Sequence, residues 1–324
     1  MNKLDVSNWK DTDWALLSYS LRLHQPIAAR NAAQHTRRGF LVIKNNPWGI
    51  GVGEAAPIPG FHSIHYDQLK AELHTALHDP SKISESTPIA KCAIEMASWN
   101  GTVNSRIPIN GLLTASQSTV SGFSCYKIKV GRAPIDEEIA MLKTIAASLP
   151  SHTSVRLDAN CAWNLSTCME FWEQASALPL NIEYIEEPLQ NPNQYSDLTI
   201  PFALDERLET YSDRLQSLSS LKALIIKPSM HGFRASLEWI YKAKALQLSA
   251  VISSTFESSV GLLAYAQLAA RQPQTPAGLA TLSWFVDDLL YHQATPQQGL
   301  LHTLPAKEIF SRLQWEHLSL ISRS

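Results

Sequence analysis

Two lysines that are two residues apart, Lys127 and Lys129, lie in an apolar run that predicts a strand over residues 124–130. Because successive side chains of a strand point to opposite faces, both lysines would lie on one face. Repulsion between their ammonium groups would lower a lysine pKa and make one lysine usable as a general base. Taken alone, the pair also fits solvated lysines on a half-exposed edge strand.

Three acidic residues come at the ends of three consecutive predicted strands, residues 154–158, 182–186 and 202–205. They are Asp158, Glu186 and Asp205. Mg²⁺ prefers hard oxygen ligands, and three converging carboxylates would repel one another without a cation. Singly, Asp158 or Asp205 would also serve as the N-cap of the next helix. Together they predict a Mg²⁺ site, for which Mn²⁺ is a possible substitute.

Lys227 ends the next predicted strand, residues 223–227, opposite the first two lysines if the strands close into a barrel. Lysines on both sides of a metal-bound carboxylate suit one chemistry. A base removes the proton α to the carboxylate, and the cation stabilises the negative charge that develops. By itself, Lys227 also fits a lysine whose stem is buried and whose ammonium group reaches solvent.

The elements that hold these residues alternate along the chain. A hairpin is predicted from residues 39–44 and 50–54, followed by a helix over residues 66–78. From about residue 107, short strands alternate with helices, which predicts an α/β fold with a parallel barrel whose catalytic groups lie at the carboxyl ends of the strands. The remaining predicted strands are residues 107–110, 250–254 and a weak one at 278–282, and the predicted helices are residues 135–148, 166–177, 235–246 and 261–270.

Composition excludes several classes of protein. The 324 residues are 45% hydrophobic and 17% charged, and the net charge of -2 leaves no basic surplus for nucleic acid. The first ten residues are polar, and no apolar run approaches the ~20 residues that span a bilayer. The four cysteines form no paired motif and indicate reduced thiols. We therefore expect a cytoplasmic protein with a small carboxylate substrate, and the sequence indicates no oligomeric state.

The order of the motifs resembles the enolase superfamily and, within it, the o-succinylbenzoate synthases of the gammaproteobacterial type. The order is Lys-x-Lys, Asp-Ala-Asn, Glu-Glu-Pro, Asp-Glu, and a lysine before proline. The segments that carry the resemblance are residues 53–61, 127–131, 155–160, 225–228 and 251–261. It implies a modified (β/α)7β barrel with an N-terminal α+β capping domain. We expect the capping domain in residues 1–100, the barrel in residues 101–297, and residues 298–324 packed back on the cap.

The resemblance also implies roles for individual residues. Lys129 would be the catalytic base and would return its proton to the departing hydroxide, while Lys227 would stabilise the dianion from the other face. The metal ligands would be the three strand-end acids, of which Glu186 rather than Glu187 is the second. From its position after Glu186 alone, Glu187 is expected to be no more than a solvated neighbour. The residues expected to contact substrate are Lys127, Arg156, Asn160, Ser253 and Gly278.

The activity implied is the Mg²⁺-dependent syn dehydration of 2-succinyl-6-hydroxy-2,4-cyclohexadiene-1-carboxylate to 2-succinylbenzoate, in menaquinone biosynthesis. Two departures affect the substrate-binding region. Residues 25–38, expected to cover the substrate, match no firm pattern, and Gly278-Leu279-Ala280 lacks an expected acidic residue. An N-acylamino acid racemase or dipeptide epimerase on the same scaffold is the alternative. An alternative of another class is a non-catalytic metal-binding barrel.

Overall fold

The computed structural model describes residues 3–28, 33–113 and 122–324 of the chain. Its strands are β1 Trp14–Ala28, β2 Ala33–Asn46, β3 Gly49–Ala55, β4 Arg106–Pro108, β5 Gly111–Leu113, β6 Cys125–Lys129, β7 Ser154–Asp158, β8 Asn181–Glu186, β9 Phe202–Leu204, β10 Leu221–Ile226, β11 Ser249–Ile252, β12 Leu300–His302 and β13 Leu318–Arg323. Its α-helices are α1 Tyr66–His78, α2 Pro88–Ala97, α3 Ile135–Ser148, α4 Leu165–Ser176, α5 Pro228–His231, α6 Phe233–Ala245, α7 Ser259–Ala269 and α8 Ala306–Ile309.

The N-terminal part is an antiparallel sheet in the order β13-β1-β2-β3, with α1 and α2 on one face. Side-chain alternation gives this sheet two apolar faces. Leu16 and Phe40 pack with the helices, whereas Leu17 and Leu41 belong to the core shared with the barrel. Gly53 permits the close packing of α2, since a Cβ there would stand 1.8 Å from the carbonyl oxygen of Ala93.

The second part is a parallel sheet of seven strands that runs in sequence order from β5 to β11. Residues 277 and 278 join its two edges. Ala277 forms a parallel bridge with Ile109, and Gly278 forms one with Ser253. The sheet therefore closes into a barrel, and the eighth position is filled by single bridges. The fold is the α/β barrel with an N-terminal cap that the sequence predicts.

Several predicted elements are confirmed. The helices over residues 66–78 and 135–148 have the predicted bounds, and the other three predicted helices lie within two residues of α4, α6 and α7. The hairpin is confirmed, but its strands are longer than predicted.

One strand prediction is wrong, and a second is correct in position but not in its pairing. Residues 278–282 form no strand, because only Gly278 is bridged and a 3-10 helix begins at Leu282. Residues 107–110 are not the first barrel strand. Arg106–Pro108 pairs antiparallel with β12, and Gly111–Leu113 is the strand beside β6.

The segment from residue 298 onward contributes β12, α8 and β13, and β13 pairs with β1. The division of the chain at residues 100 and 297 stays a prediction. Residues 25–28 and 33–38, from the segment predicted to cover the substrate, extend β1 and β2, while residues 29–32 lie outside the described part. Among the described residues, no helix is both long enough and apolar enough to cross a bilayer.

Candidate active site

A lysine and two acids lie side by side at the carboxyl ends of three neighbouring barrel strands. Lys129 on β6 pairs in register with Asp158 on β7, which in turn pairs with Glu186 on β8. Because the three residues share one level of a parallel sheet, their side chains point the same way, into the barrel mouth. Asp158 and Glu186 are almost completely buried. The side-chain direction that the sequence predicts for these strand ends therefore agrees with the strand pairing.

Asp205 and Lys227 complete the ring at the ends of the next two strands, β9 and β10. Lys227 forms an ion pair with Asp205, and both side chains are largely buried. On the opposite side, Lys129 Nζ lies 2.5 Å from Asp158 Oδ2 and 2.6 Å from Asn160 Oδ1. Asn160 adopts a positive φ of 46°, which turns the chain just after β7. Lysines thus flank the acids on two sides, as the sequence predicts.

Lys127 starts one level lower on β6 and reaches up between two of the acids. Its Nζ is 2.6 Å from Asp158 Oδ2 and 2.7 Å from Glu186 Oε1. The side chain of Lys129 is 37% exposed, against 16% for Lys127 and 12% for Lys227. Lys129 is therefore the lysine that opens most toward the mouth.

The charges of this cluster shift several pKa values. Burial lowers the pKa of Lys127, but Asp158, Glu186 and Asp205 outweigh burial and hold its pKa well above the usual range. The prediction that repulsion between lysines would lower a lysine pKa is thus wrong for Lys127, because three acids surround it. Burial also opposes the ammonium form of Lys227, yet Asp205 and Glu186 raise its pKa overall.

The acids respond in opposite directions. Burial raises the pKa of Asp158, but Lys127 and Lys129 outweigh that effect and lower it overall. Burial, reinforced by the charge of Asp158, raises the pKa of Glu186 to about 7. Burial also raises the pKa of Asp205. The charged forms of Glu186 and Asp205 are thus disfavoured, and a bound cation would oppose that effect.

These three acids fit a divalent cation by ligand type and position. All are carboxylates, all are buried, and all come from adjacent strand ends. The oxygens of these acids contact the lysines. In the described part of the chain, the group of possible ligands whose atoms lie within 4.8 Å of one another is Cys161, Glu187 and Glu206. Burial raises the pKa of the Cys161 thiol to about 12, and a thiol is a poor ligand for a hard cation. The strand-end acids therefore suit a hard divalent cation better than this second cluster does.

Glu187 is fully buried, so the expectation that it is a solvated neighbour is wrong. Its carboxylate accepts hydrogen bonds from the backbone N–H groups of Asp205 at 2.7 Å and Arg207 at 3.0 Å, and from the Tyr195 hydroxyl at 2.7 Å. It has a positive φ of 42°. Glu187 therefore fixes the backbone that presents Asp205. The next residue, Pro188, is the sequence feature that marks this position. Nothing in the sequence indicates the groups that donate hydrogen bonds to Glu187.

Arg156 lies inside the barrel, one level below Asp158, and is 2% exposed. Its guanidinium group forms an ion pair with Glu183 at 2.7 Å and donates to the Pro276 carbonyl at 2.7 Å. These contacts are turned away from the strand-end acids and are those of a core ion pair. They do not favour the predicted role in substrate binding.

Ser253 and Gly278 are brought together across the barrel seam, where a Cβ on Gly278 would lie 2.8 Å from Ser253 Oγ. Phe61, the last residue of the 53–61 segment, comes from the capping domain, and Lys227 Nζ lies 5.4 Å from its ring centroid. A loop of the cap therefore lies beside Lys227 at the mouth. The Pro-Gly turn before Phe61 was the available sequence signal for this loop.

A capped parallel barrel with lysines and acids ringed at its carboxyl ends defines a class of enzymes. The family model described as "Enolase C-terminal domain-like" matches residues 113–307. The chain belongs to this family, the enolase superfamily, and is an enzyme of it.

Relatives point in the same direction. The chain is 30% identical over 299 residues to the o-succinylbenzoate synthase of Vibrio cholerae, covering 83% of this chain and 89% of the relative. An enolase superfamily member from Roseovarius nubinhibens, solved with magnesium, has a TM-score of 0.78 at 20% identity and covers 96% of this chain and 98% of its own. The L-Ala-D/L-Glu epimerase of Bacillus subtilis has a TM-score of 0.74 at 18% identity over the same shares. These two structures are similar in fold.

Proposed function

We propose that this enzyme is a Mg²⁺-dependent o-succinylbenzoate synthase, a lyase that dehydrates 2-succinyl-6-hydroxy-2,4-cyclohexadiene-1-carboxylate. The observation that carries the reaction type is the placement of Lys129 and Lys227 on two sides of three buried acids. The similarity to the Vibrio cholerae synthase over most of both chains supports the choice of substrate.

In the proposed reaction Lys129 acts as base and then as acid. Its Nζ takes the proton from the ring carbon that bears the carboxylate. The C–O bond on the neighbouring carbon breaks, and the departing hydroxide receives that proton from Lys129 and leaves as water. The ring becomes aromatic, and no oxidant or reductant is required. Lys129 suits this role because it is the most open of the three lysines.

Lys127 and Lys227 act as fixed cations in this proposal. Their raised pKa values keep both protonated, so neither is free to accept a proton. Asp158, Glu186 and Asp205 would hold Mg²⁺, which supplies positive charge beside the substrate carboxylate and so lowers the pKa of the neighbouring C–H. Asn160 positions Lys129 through its amide oxygen.

The test is turnover of the cyclohexadiene by the purified enzyme, followed as a change in ultraviolet absorbance. We expect conversion to 2-succinylbenzoate with Mg²⁺ and its loss in excess chelator. The competing function is racemisation of N-acylamino acids or epimerisation of dipeptides, which the same two-sided lysines would support. Efficient racemisation with the diene left unchanged would reject the proposed substrate.

A further inference from the structure

A buried carboxylate of the capping domain lies at the start of a barrel helix. Glu54, on β3, is 1% exposed. It accepts hydrogen bonds from the backbone N–H of Ser258 at 3.0 Å, the Ser258 hydroxyl at 2.7 Å and the backbone N–H of Gly261 at 2.8 Å. The hydroxyl of Tyr19 donates to it from the cap side. Helix α7 begins at Ser259, and its first N–H groups have no partner within the helix, so a carboxylate at this position supplies acceptors that the helix itself lacks.

A second capping-domain residue holds the same stretch of barrel. Arg37, on β2, is fully buried and donates to the carbonyl oxygens of Phe256 at 2.8 Å and Thr255 at 3.1 Å. It also donates to Pro57 and Ala56 within the cap. Two residues of the cap therefore hold residues 253–258, named here the 253–258 loop. The carboxylate of Glu54 binds the end of this loop, and the guanidinium group of Arg37 binds its middle.

The 253–258 loop lies at the barrel mouth between two parts of the candidate site. It begins at Ser253, which bridges to Gly278. The hydroxyl of Thr255 lies 2.8 Å from that of Ser229, two residues after Lys227. Phe256 has a positive φ of 60°, a conformation that non-glycine residues rarely adopt, and so it must be held by its surroundings.

We infer that Glu54 is a positioning residue that sets the 253–258 loop, and through it the site for the part of the substrate remote from the metal-bound carboxylate. This inference rests on the proposed function, because it concerns the affinity of that site for its substrate. Glu54 touches none of the proposed metal ligands or catalytic lysines in its hydrogen bonds. Its loss should therefore change substrate affinity more than the rate of the chemical step.

The test compares Glu54→Gln with Tyr19→Phe. In Glu54→Gln the amide keeps the shape, but it removes the charge and turns an NH₂ group toward N–H donors. Tyr19→Phe removes a hydrogen bond to the same carboxylate and keeps the contact with α7, so it is the matched control. We expect KM for the cyclohexadiene to rise roughly 10-fold or more in Glu54→Gln, with kcat within about 3-fold, because charged hydrogen bonds are lost. KM should stay near the wild-type value in Tyr19→Phe.

Hydrogen exchange of residues 253–261 supplies a readout that needs no turnover. We expect faster exchange there in Glu54→Gln than in Tyr19→Phe at equal global stability. A purely structural role would lower kcat with the folded fraction and leave KM unchanged, and that result overturns the inference. Unchanged exchange in Glu54→Gln overturns it as well. If the wild type leaves the diene unchanged, the proposed function fails separately, and the KM comparison moves to whichever N-acylamino acid is racemised.

Discussion

Among individual residues, the three lysines of the mouth are chemically unequal although the sequence presents them alike. Lys127 contacts both Asp158 and Glu186, Lys227 contacts Asp205, and Lys129 contacts Asp158 but has the most exposed side chain of the three. Exposure, rather than the number of contacting acids, therefore distinguishes Lys129 from Lys127 and Lys227. This difference leads to the first prediction.

Lys129→Ala should be the most damaging single change among the lysines. Loss of a general base typically lowers the rate ~10²–10⁴-fold, and here one residue would serve as both base and acid. Turnover should therefore collapse while substrate and Mg²⁺ still bind. Lys127→Ala and Lys227→Ala, measured beside it by turnover and by calorimetric binding, are the controls. Near-normal turnover of Lys129→Ala with intact binding would contradict the mechanism.

Substitution of two neighbouring glutamates, Glu186 and Glu187, tests which of them is a metal ligand. Glu186→Gln should weaken Mn²⁺ binding, followed by electron paramagnetic resonance, because a proposed ligand is lost. Glu187→Gln should weaken it less, within the ~10–100-fold typical of residues that orient ligands, since Glu187 holds the backbone of Asp205. The reverse order of affinities would show that the ligand is Glu187. Asp158→Asn and Asp205→Asn should resemble Glu186→Gln.

At the level of strands and loops, the site depends on sharp turns just after the barrel strands. Asn160, Cys161 and Glu187 all have positive φ angles, and the Cys161 N–H donates to the Glu187 carbonyl oxygen at 2.6 Å. The chain segments that follow two neighbouring strands are therefore joined just beyond the acids.

The loop of the cap that carries Phe61 should make stability depend on pH. His62, in this loop, is buried, and its Nδ1 accepts a hydrogen bond from the Ile58 N–H at 3.0 Å. Burial, together with the charges of Arg37 and Lys227, lowers its pKa to about 3. The unfolded chain takes up a proton below about pH 6.5, whereas the folded chain stays neutral until about pH 3.

The stabilising effect of a neutral His62 is thus complete above pH 6.5 and is lost as the pH falls from 6.5 toward 3. The slope is at most about 1.4 kcal/mol per pH unit for one proton. His62→Asn keeps an acceptor for Ile58 and cannot be protonated. The difference in unfolding free energy between wild type and variant, measured by urea denaturation from pH 7 to 4.5, should therefore shift in favour of the variant. A pH-independent difference would contradict this prediction.

What the sequence predicts well is local. The α1 and α3 bounds follow from apolar residues repeated every three or four positions, and the strand-end acids follow from alternation within short apolar runs. The features that the sequence does not predict depend on residues that are far away along the chain. Residues 277 and 278 are bridged only because the two barrel edges meet there, and β4 takes its pairing from β12 about 190 positions later. Glu187 is buried because of donors from another loop.

For the molecule as a whole, the cap and the barrel share one apolar core and a set of buried polar contacts. Leu17, Leu21 and Leu41 of the cap lie in the same cluster as Leu262 and Leu268 of α7. Apolar packing is not directional, whereas the guanidinium group of Arg37 constrains the positions of four carbonyl oxygens, to which it donates hydrogen bonds.

Arg37→Met should lower the free energy of unfolding by at least about 3 kcal/mol, because buried carbonyl oxygens on both sides of the interface lose their donor. The neighbouring Arg38 is the matched control. It is exposed and lies on the opposite face of β2, with its guanidinium carbon 4.0 Å from the ring centroid of Tyr66. Arg38→Met should cost about 1 kcal/mol or less. If urea denaturation shows the same loss of unfolding free energy in both variants, the burial of Arg37 contributes nothing to stability.

The pairing of β1 with β13 has a consequence for the order in which the molecule folds. Ala15 stands opposite Arg323, and the Trp14 N–H donates to Ser324 Oγ across 310 positions of sequence. Such pairing closes a chain loop that contains the entire barrel, so its entropy cost is recovered only late in folding. Until then β1 is a free edge on which other chains can add. Pulsed hydrogen exchange during refolding should find β1 and β13 protected after the barrel strands, and aggregation should be most severe in that interval.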